Sequence, residues 1–408
     1  MFARSDPPTR ATPVDEASVF LARLVDQLGL EELVDSTRLA SARPNWPAWP
    51  QPALAHLIGP PAVVLEQIDL RWLHRFEAAV SVLDQLVAEV GGMAGGPSGL
   101  SLLVERAALL GHRGWGRWSA GTSCRLLRAA DGWLAVNLAR DDDFAAIPAW
   151  LDTEPGIEPW QQVTSSSASR PRQELIDRAV LLGLAVCEVP AENAPPRDVA
   201  ALSVSAAGAR GSRPAKVVDL SSLWAGPLCG WYLARAGAEV VKIESLRRPD
   251  GARKGTPAFY QRLNAPKRLV ELDLATSEGR GALRRSIDEA DIVIDAARPR
   301  AMEGFGVDPD EQVHHGAIWC SITGHGRRGE AGHRVAFGDD AAAGGGLVTY
   351  VDAEPWFIGD AAADPIAGVT AALGALSLWA TQRSGMVEVA MVDAVAALTD
   401  GRPVRSRA

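Results

Sequence analysis

Two adjacent carboxylates, Asp339 and Asp340, stand between Phe337-Gly338 and an Ala/Gly run that ends at Leu347. In a strand their side chains would point to opposite faces. In a loop they can approach, and one then keeps its proton to higher pH. The ordinary reading of such a pair is an exposed turn or a helix N-cap. A third carboxylate, Asp364, precedes Pro365 and an Ala/Leu-rich stretch, which suits an N-cap. The loop SSLWAGP (221–227) follows a β-branched run and opens a helix. There, backbone N–H groups and the helix dipole can receive a phosphate or another anion. The loop lacks GxGxxG, so a nicotinamide dinucleotide is not implied. Arg247, Arg248, Arg253 and Lys254 crowd a later loop as phosphate contacts or as solvated surface. Gly344, Gly345 and Gly346 allow either close backbone approach to an oxyanion or a flexible turn. His325 lies in GHG near these carboxylates; His314 and His315 read as surface residues. Cys124, Cys187, Cys229 and Cys320 are far apart and lack metal spacing, so they read as reduced structural thiols, with no metal.

The elements that must position these residues are legible in outline. The chain has 408 residues, 47% hydrophobic and 22% charged, enough for two or three domains. Its net charge of −9 argues against sequence-independent nucleic-acid binding but permits a local basic pocket. The first sixteen residues lack an apolar signal core and read as a frayed start. No apolar run reaches the ~18 residues of a membrane span. The expected address is cytoplasmic.

Helical periodicity covers 17–40 and 61–91, and a Pro/Trp-rich stretch covers 41–54. CRLLRAADGWLAVNL (124–138) predicts a hairpin about Ala-Asp-Gly. A helix follows at 143–152, a linker at 162–171 and a helix at 172–186. Residues 188–215, rich in Pro, Ala, Gly and Ser, read as a domain boundary. Beyond it, KVVDL (216–220), EVVKIE (239–244), LVELDL (269–274), DIVIDA (291–296) and AIWCSIT (317–323) alternate with helical segments. That alternation predicts a parallel sheet wound on both faces. Residues 365–382 predict a nearly buried helix.

The second half resembles the family III CoA-transferases (CaiB/BaiF-like), whose relatives include the α-methylacyl-CoA racemases. The matching segments are VVDLSSLWAGPLCGWYLARAGAEVVKIE, LNAPKRLVELDL, DIVIDAARPRAMEGFGVD, IWCSITGHGRRG, FGDD and GDAAADPIAGVTAALGALSLW, in that order over 217–379. The resemblance implies an α/β fold. A Rossmann-like doubly wound sheet spans 212–400, and a smaller α+β domain spans 91–205, before it rather than in its usual place after it. A helical region, 1–90, matches nothing named. The implied reaction is acyl-CoA:carboxylate CoA transfer through an aspartyl-CoA thioester, with Asp340 as nucleophile, Asp339 where racemases carry His, and Asp364 as a second family Asp. Ala225, Gly226 and Pro227, then Asn264, Lys267 and Arg268, and Arg298 take the CoA-binding roles. CoA enters as a thioester substrate, with no retained cofactor, and a homodimer is implied. Two alternatives stay open: an acyl-CoA racemase or epimerase, with Asp339 or Asp340 and Asp364 as its two bases, and a non-catalytic acyl-CoA-binding partner subunit, which the permuted order and the altered segment after the Asp, lacking the family's Gln, favour.

Overall fold

The computed structural model describes residues 13–34, 54–58, 68–154, 158–209 and 215–405. The first twelve residues and most of the Pro/Trp-rich stretch lie outside the described residues.

Among the described residues, three α-helices come first: α1 (Pro13–Leu28), α2 (Arg71–Glu89) and α3 (Gly99–Leu110). Apolar residues at helical spacing bury Leu21, Leu24 and Leu28 of α1 in one core with Trp72, Phe76 and Leu83 of α2. Ser98 starts α3 by accepting from Ser101 N at 3.1 Å, and Gly111 ends it at φ 69.

A small antiparallel sheet follows. Its strands are β1 (Cys124–Ala129), β2 (Gly132–Asn137) and β3 (Ala185–Val189). Helices α4 (Asp141–Leu151), α5 (Pro159–Ser167) and α6 (Arg172–Leu182) separate β2 from β3. The period-two pattern gives the sheet two apolar faces. Leu127, Leu134 and Val136 pack against Trp150 and Leu175 of its own helices. Leu126, Ala135 and Cys187 face the other way, onto Ala343, Val348 and Phe357 of the second half.

The second half runs β4 (Ser203–Ala209), β5 (Lys216–Asp219), α7 (Ala225–Arg235), β6 (Glu239–Ser245), α8 (Ala252–Gly255), α9 (Pro257–Asn264), β7 (Arg268–Leu272), α10 (Ser277–Asp288) and β8 (Ile292–Asp295). Then come α11 (Pro299–Phe305), α12 (Pro309–His314), β9 (Ile318–Thr323), α13 (Gly338–Gly344), the hairpin β10 (Val348–Val351) and β11 (Glu354–Phe357), α14 (Ala363–Ala380), β12 (Arg383–Ala390) and α15 (Met391–Thr399). Seven strands form one sheet in the order β4-β12-β9-β8-β5-β6-β7. All neighbours are parallel except β4, which lies antiparallel on β12. From β7 to β12 this is the 3-2-1-4-5-6 order of the doubly wound fold. Its order reverses between β5 and β8, where such folds open a crevice at the strands' carboxyl ends.

Helix α14 is the centre of the core. It is apolar and long enough to cross a membrane by length and composition, but it is buried inside the protein and packs on α2, α7, α15 and β12. Gly368 lets it approach α7, since a Cβ there would lie 2.6 Å from Ala225 O.

Several expectations change. The helix expected over 17–40 begins at Pro13 and ends at Leu28, where Gly29 takes φ 62, and that expected over 61–91 begins at Arg71 among the described residues. Residues 162–171 are not a linker throughout, because α5 runs to Ser167. Pro159 begins it and Val163 is buried, while Thr164 and Ser165 bond back to Trp160 O and Gln162 O, so a serine-rich string stays helical. The helix at 172–186 stops at Leu182, where Gly183 adopts φ 68, and β3 follows. Within the boundary stretch 188–215, Ser203–Ala209 forms the antiparallel edge of the large sheet.

Candidate functional site

Four aspartates meet where α13 and α14 begin. Asp340, at 0% exposure, is fully buried in the first turn of α13. Its Oδ1 accepts from Phe337 N at 2.9 Å and from Asn137 Nδ2 at 3.0 Å. It therefore caps its own helix, and β2 of the first half seals it in. Burial pushes its carboxyl up to about 7. Asp340 Oδ2 and Asn137 Oδ1 are both buried acceptors without a donor. A proton on Asp340 supplies one, so the pair is stable as a neutral acid–amide contact. The sequence reading makes Asp340 the nucleophile; here its carboxyl lies inside the protein, hydrogen-bonded to Phe337 N and Asn137 Nδ2.

Asp340→Asn is expected to keep this contact without needing the proton. A carboxyl raised to about 7 binds a proton in the folded state where the unfolded chain, with an ordinary carboxylate, has lost it. Wild-type stability then falls as pH rises from about 4 to about 7. Urea titrations should find the variant equal to wild type within about 1 kcal/mol at pH 5 and more stable at pH 8. A loss above ~2 kcal/mol at both pH values would remove the acid–amide contact from consideration.

Asp339 is buried, and its Oδ1 accepts from Ala361 N at 2.8 Å. Ser119 also bonds to it; burial, and then the Asp360 charge, raise it to about 6. Asp360 has the opposite environment. Burial alone would raise it, but His112 and Arg106 hold it at about 2. Arg106 grips it with two bonds, of 2.8 and 2.6 Å, while His112 Nδ1 lies 3.3 Å away. The Arg106 guanidinium also stacks over Trp224, 5.1 Å from the ring centroid.

Asp364, in the first turn of α14, is only partly buried. The Ala225 N–H at the start of α7 bonds to its carboxylate. Its Oδ2 lies so close to Gly338 that no Cβ fits there. Burial raises Asp364 to about 7, partly opposed by Arg106. The start of α7 thus holds the chain's own carboxylate. Ala225, Gly226 and Pro227 are themselves buried, with Gly226 pressed on Ser221, so this turn is not an open anion cradle.

The loop before α7 is pinned from below. Asp219 accepts from Ser221 N at 3.0 Å and from Ser221 Oγ; Lys242 Nζ donates to Ser221 O at 2.6 Å. Asp250 takes the N–H of Leu223, which sits at φ 68 with 41% exposure. A non-glycine residue there is strained, and it projects at the crevice between β5 and β8.

Lys267 is buried, contrary to the expected CoA contact. Its three donors go to Asp219 Oδ2 at 2.8 Å, Pro227 O at 2.7 Å and Asn264 Oδ1 at 2.9 Å. Burial raises Asp219, but Lys267 and Lys242 outweigh it and hold the carboxyl at about 2. Asn264 is buried and donates to Tyr260 O. Both residues support the loop from inside. Arg268 is exposed on edge strand β7. Arg247 and Arg253 are taken up by Asp273 and Glu244.

Arg298 opens α11 at a cleft of about 760 Å³ that also includes Leu182, Gly183, Arg300 and Arg327. Burial lowers the Arg298 pKa, and Arg300, Arg140 and Arg248 add to this, so four guanidinium groups converge. Arg140 donates to Gly183 O at 2.8 Å and lies over the Phe337 ring. Arg140 is also ion-paired with Asp143, and Glu303 and Glu330 line the cleft, so its charge is mixed. The glycine run has a different role: Gly344 abuts Cys187, Gly345 abuts Val395 and Gly346 abuts Arg402 O, all buried. It is a packing feature, not an oxyanion cradle. His325 is held near 3 by burial and Arg334. The sequence reading missed Arg106, His112, Ser119 and Asn137. All lie in the first half, and no local pattern marks them.

The doubly wound sheet and a carboxylate cluster over its core helix define an α/β domain of the nucleotide-binding architecture. Residues 214–407 match the model of CoA-transferase family III, so this half of the chain is similar to that family. The succinyl-CoA–D-citramalate CoA-transferase of Chloroflexus aurantiacus is 32% identical over 201 residues, 45% of this chain and 50% of that protein. The succinyl-CoA:mesaconate CoA-transferase of Haloarcula hispanica is 32% identical over 209 residues, 45% of this chain and 52% of that one. A CaiB/BaiF family crystal structure from Brucella suis aligns with TM-score 0.42 and 30% identity over 48% of this chain and 60% of that one. The chain spans about half the length of the curated relatives it matches.

Proposed function

We propose that the protein transfers CoA from a CoA thioester to a carboxylic acid, with Asp364 as the reacting carboxylate. The observation that carries this reading is its setting. Asp339, Asp340 and Asp360 are buried and committed to protein donors, whereas Asp364 keeps partial exposure beside the Ala225 N–H. The match of residues 214–407 to the family model and the names of the relatives support the reaction class.

An Asp364 oxygen attacks the thioester carbonyl and the C–S bond breaks, giving a mixed anhydride and CoA thiolate. The thiolate then adds to the Asp364 carbonyl, the donor carboxylate leaves, and aspartyl-CoA remains. An acceptor carboxylate reverses the two steps, taking CoA and freeing Asp364. The Ala225 N–H faces the oxyanion that forms when sulfur adds to Asp364. Arg298, with Arg248 and Arg300 near it, offers positive charge for a nucleotide polyphosphate. Both succinyl-CoA relatives favour a short dicarboxylic donor.

The test incubates the full chain with succinyl-CoA and a panel of mono- and dicarboxylic acids, following new CoA thioesters by mass spectrometry. Transfer with ping-pong kinetics is expected, and hydroxylamine should attack the aspartyl-CoA carbonyl, release CoA and leave Asp364 as its hydroxamate. Exchange of the α-proton with D₂O in the absence of transfer would replace this reading with an isomerase. Binding without either reaction would leave a non-catalytic acyl-CoA carrier.

A further inference from the structure

We infer that Arg106 is a positioning residue for Asp364: its guanidinium fork fixes the turn from which Asp364 projects. This rests on Asp364 being the reacting carboxylate. Arg106 belongs to α3, outside the family-matching half.

Three observations converge on the turn. Gly359 has φ 95 and Ala361 has φ 46, so two residues of Gly359–Asp360–Ala361 are left-handed, one of them carrying a Cβ. Such backbone persists only where its surroundings over-determine it. Arg106 Nε and Nη2 hold both oxygens of Asp360, and Asp339 holds Ala361 N. The arginine is itself immobilised on Trp224, the residue that precedes Ala225 and α7. One side chain thus ties the turn before α14 to the start of α7, the two elements between which Asp364 sits. The charged and titratable groups facing Asp364 are Arg106 from α3, Asp339 from α13 and Asp360 from its own turn, with the Ala225 N–H from α7. His112 faces Asp360. Removing Arg106 leaves two carboxylates and no cation beside Asp364.

The experiment compares wild type, Arg106→Gln and Arg106→Lys in the full chain. Asp364 is titrated by ¹³C-aspartate infrared difference spectra with Asp364→Asn as blank, and kcat and KM are measured with succinyl-CoA and acetate. Arg106→Gln should move the Asp364 midpoint upward and lower kcat about 10²-fold at nearly unchanged KM. Arg106→Lys keeps the charge but loses the fork, so the midpoint stays near that of wild type while kcat still falls about tenfold. A purely structural arginine would lower melting temperature and leave the midpoint in place. An unchanged midpoint and kcat in folded Arg106→Gln overturns the inference. Should that variant not fold, unchanged kcat in Arg106→Lys overturns it. Hydroxylamine trapping keeps the two claims apart. Transfer without a label on Asp364 in wild type removes the underlying reading, while the infrared midpoint still decides the role of Arg106.

Discussion

Asp364→Asn is expected to lower kcat by roughly 10³–10⁴-fold and to abolish covalent trapping, with KM for the CoA thioester nearly unchanged. An amide is nearly the same size, so the Ala225 N–H contact survives, but no anionic oxygen remains to attack. The wild-type enzyme should show the same dependence through pH. A carboxyl raised to about 7 is protonated below that value and non-nucleophilic. The rate then falls about tenfold per unit as pH drops below ~7 and levels off above it. Labelling at Asp340, or a flat profile between pH 5 and 8, would exclude Asp364 as nucleophile.

Lys267→Met is the largest expected stability effect. It removes the cation from a fully buried pair and leaves Asp219, Pro227 O and Asn264 Oδ1 without their donor. Breaking such a pair costs about 3–5 kcal/mol, because a charge stays buried without its partner. Asp219→Asn combined with Lys267→Met should recover part of the loss, which a double-mutant cycle in urea quantifies. If Lys267→Met were instead stable but had a raised KM for succinyl-CoA, the lysine would belong to the substrate.

Much of the second half was legible. The strand runs at 216, 239, 269, 291 and 317 fall in β5 to β9, because parallel strands covered on both faces are continuous apolar runs bounded by breaks. Side-chain direction was not legible. Lys267 has a nucleotide-binder's place in the sequence, yet it turns inward, because α7 lies over the end of β5 and Asp219 waits there. Asp339 and Asp340 looked like an exposed pair or a cap, and the cap reading describes Asp340. What buries them is Ser119 and Asn137, about two hundred residues earlier. The Asp360 environment was similarly hidden. No pattern in the sequence marks its partners Arg106 and His112, and only the tertiary fold brings them within 3.5 Å of it.

Helix α14 is enclosed along its length by α2, α7, α15 and β12, and Asp364 stands in its first turn. A group in the first turn of a helix packed on every side has little room to follow an incoming acyl chain. Reaction geometry is therefore built in during folding. Accommodation between one acyl chain and another falls to softer parts: the exposed Leu223 turn and the first-half segments that roof the carboxylates. Those segments lie outside the stretch shared with the transferases. The first half nevertheless supplies Arg106, Ser119 and Asn137 to the aspartate cluster, so a change of substrate there must leave these three contacts in place.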